Sequence, residues 1–201
     1  SLDNLRKASE LCRARGVRVV LDGARAVENA ALIRSREPAW KDKPVVEILK
    51  EMCRLADAAT VSAKKDACVN IGGFLATRDQ DLYEEARSLC MLFEGLPHGG
   101  LAGRDLEALA VGVREMVQDD LIEHRLAQVA YLGERLSDEG VPVLRPFGGH
   151  AVFIDAAAFL AHLDAEELPA QSLAAWIYEA SGVRVMERGQ VCAGRDAKER
   201  G

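Results

Sequence analysis

The sequence predicts an α/β fold, and three observations predict it. Short β-branched runs, "VRVVLD" at 17–22 and "AATVSA" at 58–63, have the texture of parallel strands covered on both faces, without polar alternation. Between them lie two stretches whose apolar residues recur at helical spacing. Strands separated by helices build βαβ units and so a largely parallel sheet.

Each element has its own justification. Leu2 to Arg15 keeps helical periodicity, and Gly16 stands where a glycine ends a helix. "GARAVENAALIRSREPAW" reads as a turn and a helix that stops near Pro38. "KPVVEILKEMCRLAD" reads as a helix with Pro44 in its first turn, where the missing N–H costs nothing. "CVNIGGFLAT" is a further strand beyond a lysine pair, and Asp79 is placed to cap the helix in "DQDLYEEARSLCMLFEG". From Asp105 to Ser137, Leu106, Leu109, Val113, Val117, Leu121, Leu126, Val129, Leu132 and Leu136 recur about every three and a half residues, predicting one long helix. A helix of that length within an α/β pattern joins two domains. Beyond Gly140, "VPVLRP", "HAVFIDAA", a helix at "PAQSLAAWIYEASG" and a strand at "VRVME" predict a small α+β domain. The expected division is therefore 1–103, a connecting helix over 104–138, and 139–201.

Composition narrows the class. A chain of 201 residues, 49% hydrophobic and 29% charged, can bury a sizeable core. A net charge of −6 argues against nucleic acid or an anionic membrane as partner, because phosphate binding draws on a basic surplus. No apolar run is long enough for a bilayer, and no signal-peptide pattern is present. Cys12, Cys53, Cys68, Cys90 and Cys192 are odd in number and never paired as CxxC, which fits reduced thiols and a cytoplasmic location. The four histidines have no metal-ligand spacing and read as structural or exposed. The opening helix follows nothing and a parallel sheet needs more strands, so the sequence reads as a piece of a longer polypeptide.

The chemistry centres on "SAKKDACVNIGG" at 62–73. An amine is nucleophilic at neutral pH only when its ammonium form is disfavoured, by burial or by a neighbouring positive charge. Lys64 beside Lys65 at a strand end can meet both conditions, and such a lysine forms a Schiff base with a carbonyl such as the aldehyde of pyridoxal phosphate. Two exposed loop lysines are the simpler reading of the pair alone. Asp22 closes an apolar strand, where ligands of open parallel sheets sit, and a carboxylate there can keep a pyridinium nitrogen protonated. By itself it is more often a turn former. Arg25 lies within reach of the same pocket, and Ser62 is a weak phosphate ligand taken alone. The pairs Gly72-Gly73 and Gly99-Gly100 serve either close backbone approach or turns. Cys68 and Cys192 read as buried small hydrophobes, and Trp40 and Trp176 as packing residues.

Taken in order, "DGARAVENAALI", "SAKKDACVNIGGFL", "EGLPHGGLAGRDLEALAVGVRE", "GGHAVFIDA", "PAQSLAA" and "GVRVMERG" resemble the β-eliminating lyases of aromatic amino acids. The resemblance covers nearly the whole chain. It implies an aspartate-aminotransferase-like, fold-type I pyridoxal-phosphate-dependent fold, here partial. By that resemblance Lys65 would hold the cofactor as a Schiff base and then remove the substrate's α-proton. Asp22 would face the pyridine nitrogen, Arg25 the 3-hydroxyl and Ser62 the phosphate, with Lys64 in the surrounding network. The carbonyl of Asn70 would help hold a monovalent cation, K+. Arg188 in "MERG" resembles the phenol-forming branch, where an arginine sits by the phenol oxygen and favours the tautomer that expels it. The implied reaction is hydrolytic β-elimination of tyrosine to phenol, pyruvate and ammonia, in a homotetramer, with no turnover expected from this chain alone. Release of indole from tryptophan, or a non-catalytic remnant, are the alternatives, and the closing "GRDAKERG" looks more like the indole-forming branch. The chain departs from the family pattern at Leu55 and Val61, where a tyrosine and a methionine are usual. An aromatic residue before Gly99 is also missing, with His98 nearby instead.

Overall fold

The computed structural model describes residues 1–95 and 100–188, which fall into two compact units divided after Leu126. His98, Gly99, Cys192 and the closing "GRDAKERG" lie outside the described residues.

In the first unit, α1 (Leu2–Arg13) leads to β1 (Val20–Asp22), α2 (Ala26–Arg36), a 3-10 turn at Pro38–Trp40 and α3 (Val45–Arg54). There follow β2 (Ala58–Ser62), β3 (Gly73–Thr77), α4 (Gln80–Glu94) and α5 (Gly103–Glu115). The sheet order is β1-β2-β3, with β1 parallel to β2 and β3 antiparallel to it. Val20 pairs with Ala58 and Asp22 with Thr60, so the ends of β1 and β2 lie side by side. Ser62 pairs with Gly73, and loop 63–72 turns back over that edge.

The core of this unit is helical. Ala26, Val27, Ala30, Ala31 and Ile33 form the inward stripe of α2, and Val45, Ile48 and Met52 that of α3. Leu2, Leu55 and Ile122 complete the cluster, with Trp40 packed at its margin. Asp79 caps α4 as expected, accepting from the Leu82 N–H at 3.0 Å, and Pro44 stands immediately before Val45. The strands are shorter and more open than the sequence suggests: Val20 is 53% exposed and Leu75 43%. β-branched runs register the tendency to be a strand, but which faces are covered depends on neighbours that a run does not name.

The long helix expected over 104–138 is two helices, α5 and α6 (Asp119–Asp138), interrupted at residues 116–118. The interruption has a tertiary cause. The Asp119 carboxylate accepts from the Val45 N–H at 3.1 Å and pairs with Arg34 at 3.0 Å, fixing the start of α6 against α2 and α3. It also changes the helical phase: Ile122 is 1% exposed while Leu121, which the uninterrupted repeat turns inward, is 45% exposed. The division between the two units falls inside α6, after Leu126.

The second unit holds the rest of α6, an isolated antiparallel bridge between Val143 and Ile154, α7 (Ala156–Phe159), a 3-10 turn at Ala165–Glu167 and α8 (Pro169–Ser181). The strand expected at "VRVME" is not formed within the described residues; Val183 and Met186 are 56% and 88% exposed. A strand needs a ladder partner, and alternation cannot supply one. Trp176, expected to pack, is 60% exposed.

The helical phase has a direct test. Ile122→Ala is expected to cost about 3 kcal/mol in urea unfolding, and Leu121→Ala within about 0.5 kcal/mol. The reverse order would restore the uninterrupted helix.

Candidate active site

Asp22 ends β1, and its Oδ1 accepts from the Ala24 N–H at 3.1 Å, closing a tight turn. The Gly23 N–H donates to the Thr60 carbonyl at 2.7 Å, so the turn stays tied to β2. Across that edge, loop 63–72 carries the lysine pair. The Ala63 N–H donates to Gly72 O at 3.0 Å, the Lys65 N–H to Ser62 O at 3.3 Å and the Cys68 N–H to Lys65 O at 3.1 Å. Gly73 makes the approach of β3 possible: a Cβ there would stand 2.5 Å from the Val61 carbonyl oxygen. Close approach is thus its role. Gly112 of α5 does the same against the loop, where a side chain would meet the Ala67 carbonyl.

These elements enclose an open cleft of about 600 Å³, lined by Asp22, Ser62, Lys64 and Lys65 among others. Four of the residues expected at the site are thereby brought together. Asp22 is both turn former and cleft residue. Both lysines are exposed, so of burial and a like-charged neighbour the structure supplies the neighbour alone. Arg25 does not line the cleft; its guanidinium is 3.2 Å from the buried carboxylate of Glu28. Asn70 is exposed on the loop and is not among the lining residues. Arg188 lies in the second unit, its guanidinium carbon 5.9 Å from the centre of the Phe153 ring, within cation–π range.

Several site residues have no individual mark in the sequence. Phe74 and Thr60 line the cleft because the register pairs Val61 with Phe74 and Asp22 with Thr60. Asp66, 3% exposed, accepts at Oδ2 from the N–H groups of Val27 at 2.9 Å and Glu28 at 3.2 Å, and its Oδ1 is 3.5 Å from Arg125. Arg125 also reaches Glu28, at 3.6 Å. The sequence carries no local signal for this cluster: Arg125 stands three residues after Ile122, and that this phase of α6 faces inward is set by the tertiary structure. Cys68 differs from expectation. It is exposed, with a left-handed φ of 55°, its thiol directed at the Lys65 and Asp66 carbonyls at 3.6 and 3.5 Å. The tight return of the loop, not core packing, sets its position.

Burial raises the Asp66 carboxyl above its ordinary value, and the N–H groups of Glu28 and Val27 with Arg125 pull it back.

The residues suit pyridoxal phosphate. A lysine amine for an aldehyde, a carboxylate for a ring nitrogen, and a hydroxyl with a second cation for a phosphate share one cleft with the apolar Ile71 and Phe74. Among solved structures, a protein of Listeria monocytogenes described as a candidate L-allo-threonine aldolase superposes over 92% of this chain and 45% of its own, at a TM-score of 0.59 and 22% identity. One from Exiguobacterium sp., described as a candidate aromatic amino acid β-eliminating lyase/threonine aldolase, does so over 79% and 41%, at 0.55 and 23%. The fold is that of the aminotransferase-like, fold-type I class of pyridoxal-phosphate-dependent enzymes. Within that class the chain belongs to the β-eliminating lyase family, whose pattern it matches over residues 1–200. It is 56% identical over 198 residues to the tyrosine phenol-lyase of Intrasporangium calvum and 54% over 197 to that of Symbiobacterium sp.. Each match takes in 98% of this chain but only 42% and 43% of those enzymes.

The direction of the Asp66 shift sets a sign for stability. With a folded-state pKa above the unfolded value near 3.8, the native state binds the proton more tightly, so this contribution is complete below 3.8 and is lost as pH rises through the folded pKa. In urea unfolding, Asp66→Asn is therefore expected to gain on the native protein as pH climbs through that window. A flat or opposite difference would remove burial as the dominant influence.

Proposed function

We propose that this chain carries part of the active site of a pyridoxal-phosphate-dependent lyase that cleaves the side chain of an aromatic amino acid, tyrosine, by hydrolytic β-elimination to phenol, pyruvate and ammonia. One observation supports it above the others: Asp22 and Lys65, from separate elements, line the same cleft at the ends of parallel strands. The names of the relatives favour tyrosine.

When bound, pyridoxal phosphate supplies an electron sink for negative charge at the substrate's α-carbon. The chain's residues do the rest. Lys65 would hold the cofactor through its ε-nitrogen and would be the base for the substrate's α-proton. Asp22 would hold a proton at the ring nitrogen, Ser62 would donate to the phosphate, and Lys64 would lie in the surrounding hydrogen-bond network. Arg25 would serve the 3-hydroxyl, on the strength of the family pattern. Arg188 would donate to the phenol oxygen and so favour the tautomer in which phenol leaves. The Asn70 carbonyl would help hold K+. Residues 1–103 belong to the cofactor domain and 139–201 to the small domain, with 104–138 between them.

Borohydride trapping tests the core of this. Added pyridoxal phosphate should leave a stable adduct on Lys65 that is absent in Lys65→Ala, and Asp22→Ala should weaken binding by about tenfold or more. Equal adduct in Lys65→Ala, or affinity indifferent to Asp22, would defeat the reading.

A further inference from the structure

Lys64 and Lys65 both line the cleft and both are exposed. Their amines are chemically alike, so only the backbone can decide which one meets a ligand there. That decision depends on where the loop is fixed. On one side is Ala63, fully buried, its N–H on Gly72 O at 3.0 Å and its carbonyl accepting from Val69 N–H at 3.3 Å. On the other is Asp66. Its N–H donates to Ala24 O at 3.4 Å, and its carboxylate takes the N–H groups of Val27 and Glu28 and faces Arg125. Ala24 and Val27 belong to the same segment as Asp22, so Asp66 ties the loop to the chain that carries the opposing carboxylate. Lys65 immediately precedes that tie, whereas Lys64 immediately follows the Ala63 tie.

We propose that Asp66 is a positioning residue that selects Lys65 over Lys64 as the amine presented to the cleft, by fixing the loop to the first turn of α2 and to Arg125 of α6. The inference rests on the pyridoxal-phosphate reading above, and extends it to a residue that touches neither cofactor nor substrate. With the Asp66 carboxylate gone, the loop keeps its backbone hydrogen bonds but loses the side-chain tie to α2 and α6 that follows Lys65, while the buried Ala63 tie beside Lys64 is untouched.

The test is a partition. The 201-residue chain is incubated with pyridoxal phosphate and reduced with borohydride, and adducts are located by peptide mass spectrometry. Each adduct joins one ε-nitrogen to the aldehyde carbon with loss of water and takes one hydride from the reductant. Lys50, exposed on α3, reports non-specific labelling, and circular dichroism reports folding. The native chain should favour Lys65 over Lys64 by about tenfold or more, a preference that Asp66→Ala should reduce to about threefold or less with Lys50 still at background. Asp66→Asn, which keeps a carbonyl acceptor for α2, should fall between. If Asp66→Ala does not fold, the Asn variant decides by its ratio alone. An unchanged preference for Lys65 in the folded variant overturns the proposal while leaving the cofactor reading intact. No adduct on either lysine of the native chain overturns the cofactor reading, and the proposal with it.

Discussion

A buried carboxylate, that of Asp66, meets the first turn of α2 and ties the lysine loop to the segment that follows the strand bearing Asp22. The first N–H groups of a helix have no partner within it. Arg25, at the N-cap position of α2, offers no side-chain acceptor, and Asp66 supplies one from far along the chain. Negative charge at a helix N-terminus is favoured by the helix dipole. Removing a carboxylate from water is costly, so the arrangement holds only because two N–H donors and Arg125 surround it. Glu28 shares that guanidinium and binds Arg25 as well, which makes the buried charges one connected group.

The sheet gives this contact its consequence. Parallel pairing brings the ends of β1 and β2 together, and the antiparallel β3 forces the intervening loop back over that edge. A carboxylate and two amines from two stretches of chain thereby share a cleft of about 600 Å³. Gly73 lets β3 approach Val61 of β2, and Gly112 lets α5 approach Ala67 of the loop, without a Cβ between. Related folds place catalytic groups at such strand ends because the sheet holds them at fixed separations while the loops stay free to vary. The chain spans about 43% of the length of its tyrosine phenol-lyase relatives.

Much was legible in the residues. Helical periodicity and end signals located α1, α2, α3 and α4, because spacing and capping act over one or two turns. The lysine pair and the strand-ending aspartate, each with a plain structural reading when taken alone, were singled out by their order in the chain, and the structure brings them to one cleft. Asp66 and Arg125 escaped, although Asp66 sits inside the most distinctive motif. A carboxylate beside two lysines reads as local charge balance, and its partners lie 38 and 59 residues away.

By itself the sequence determined helices α1 to α4, the lysine pair with the strand-ending aspartate, and the family, because these follow from short-range periodicity and from residue identity. Only the tertiary structure decided the break before α6, the inward turn of Ile122 in place of Leu121, and the pairing of Arg25 with Glu28 instead of the cleft. Each of these is settled by a hydrogen bond, ion pair or packing contact between segments far apart in the chain, and no local pattern contains both partners.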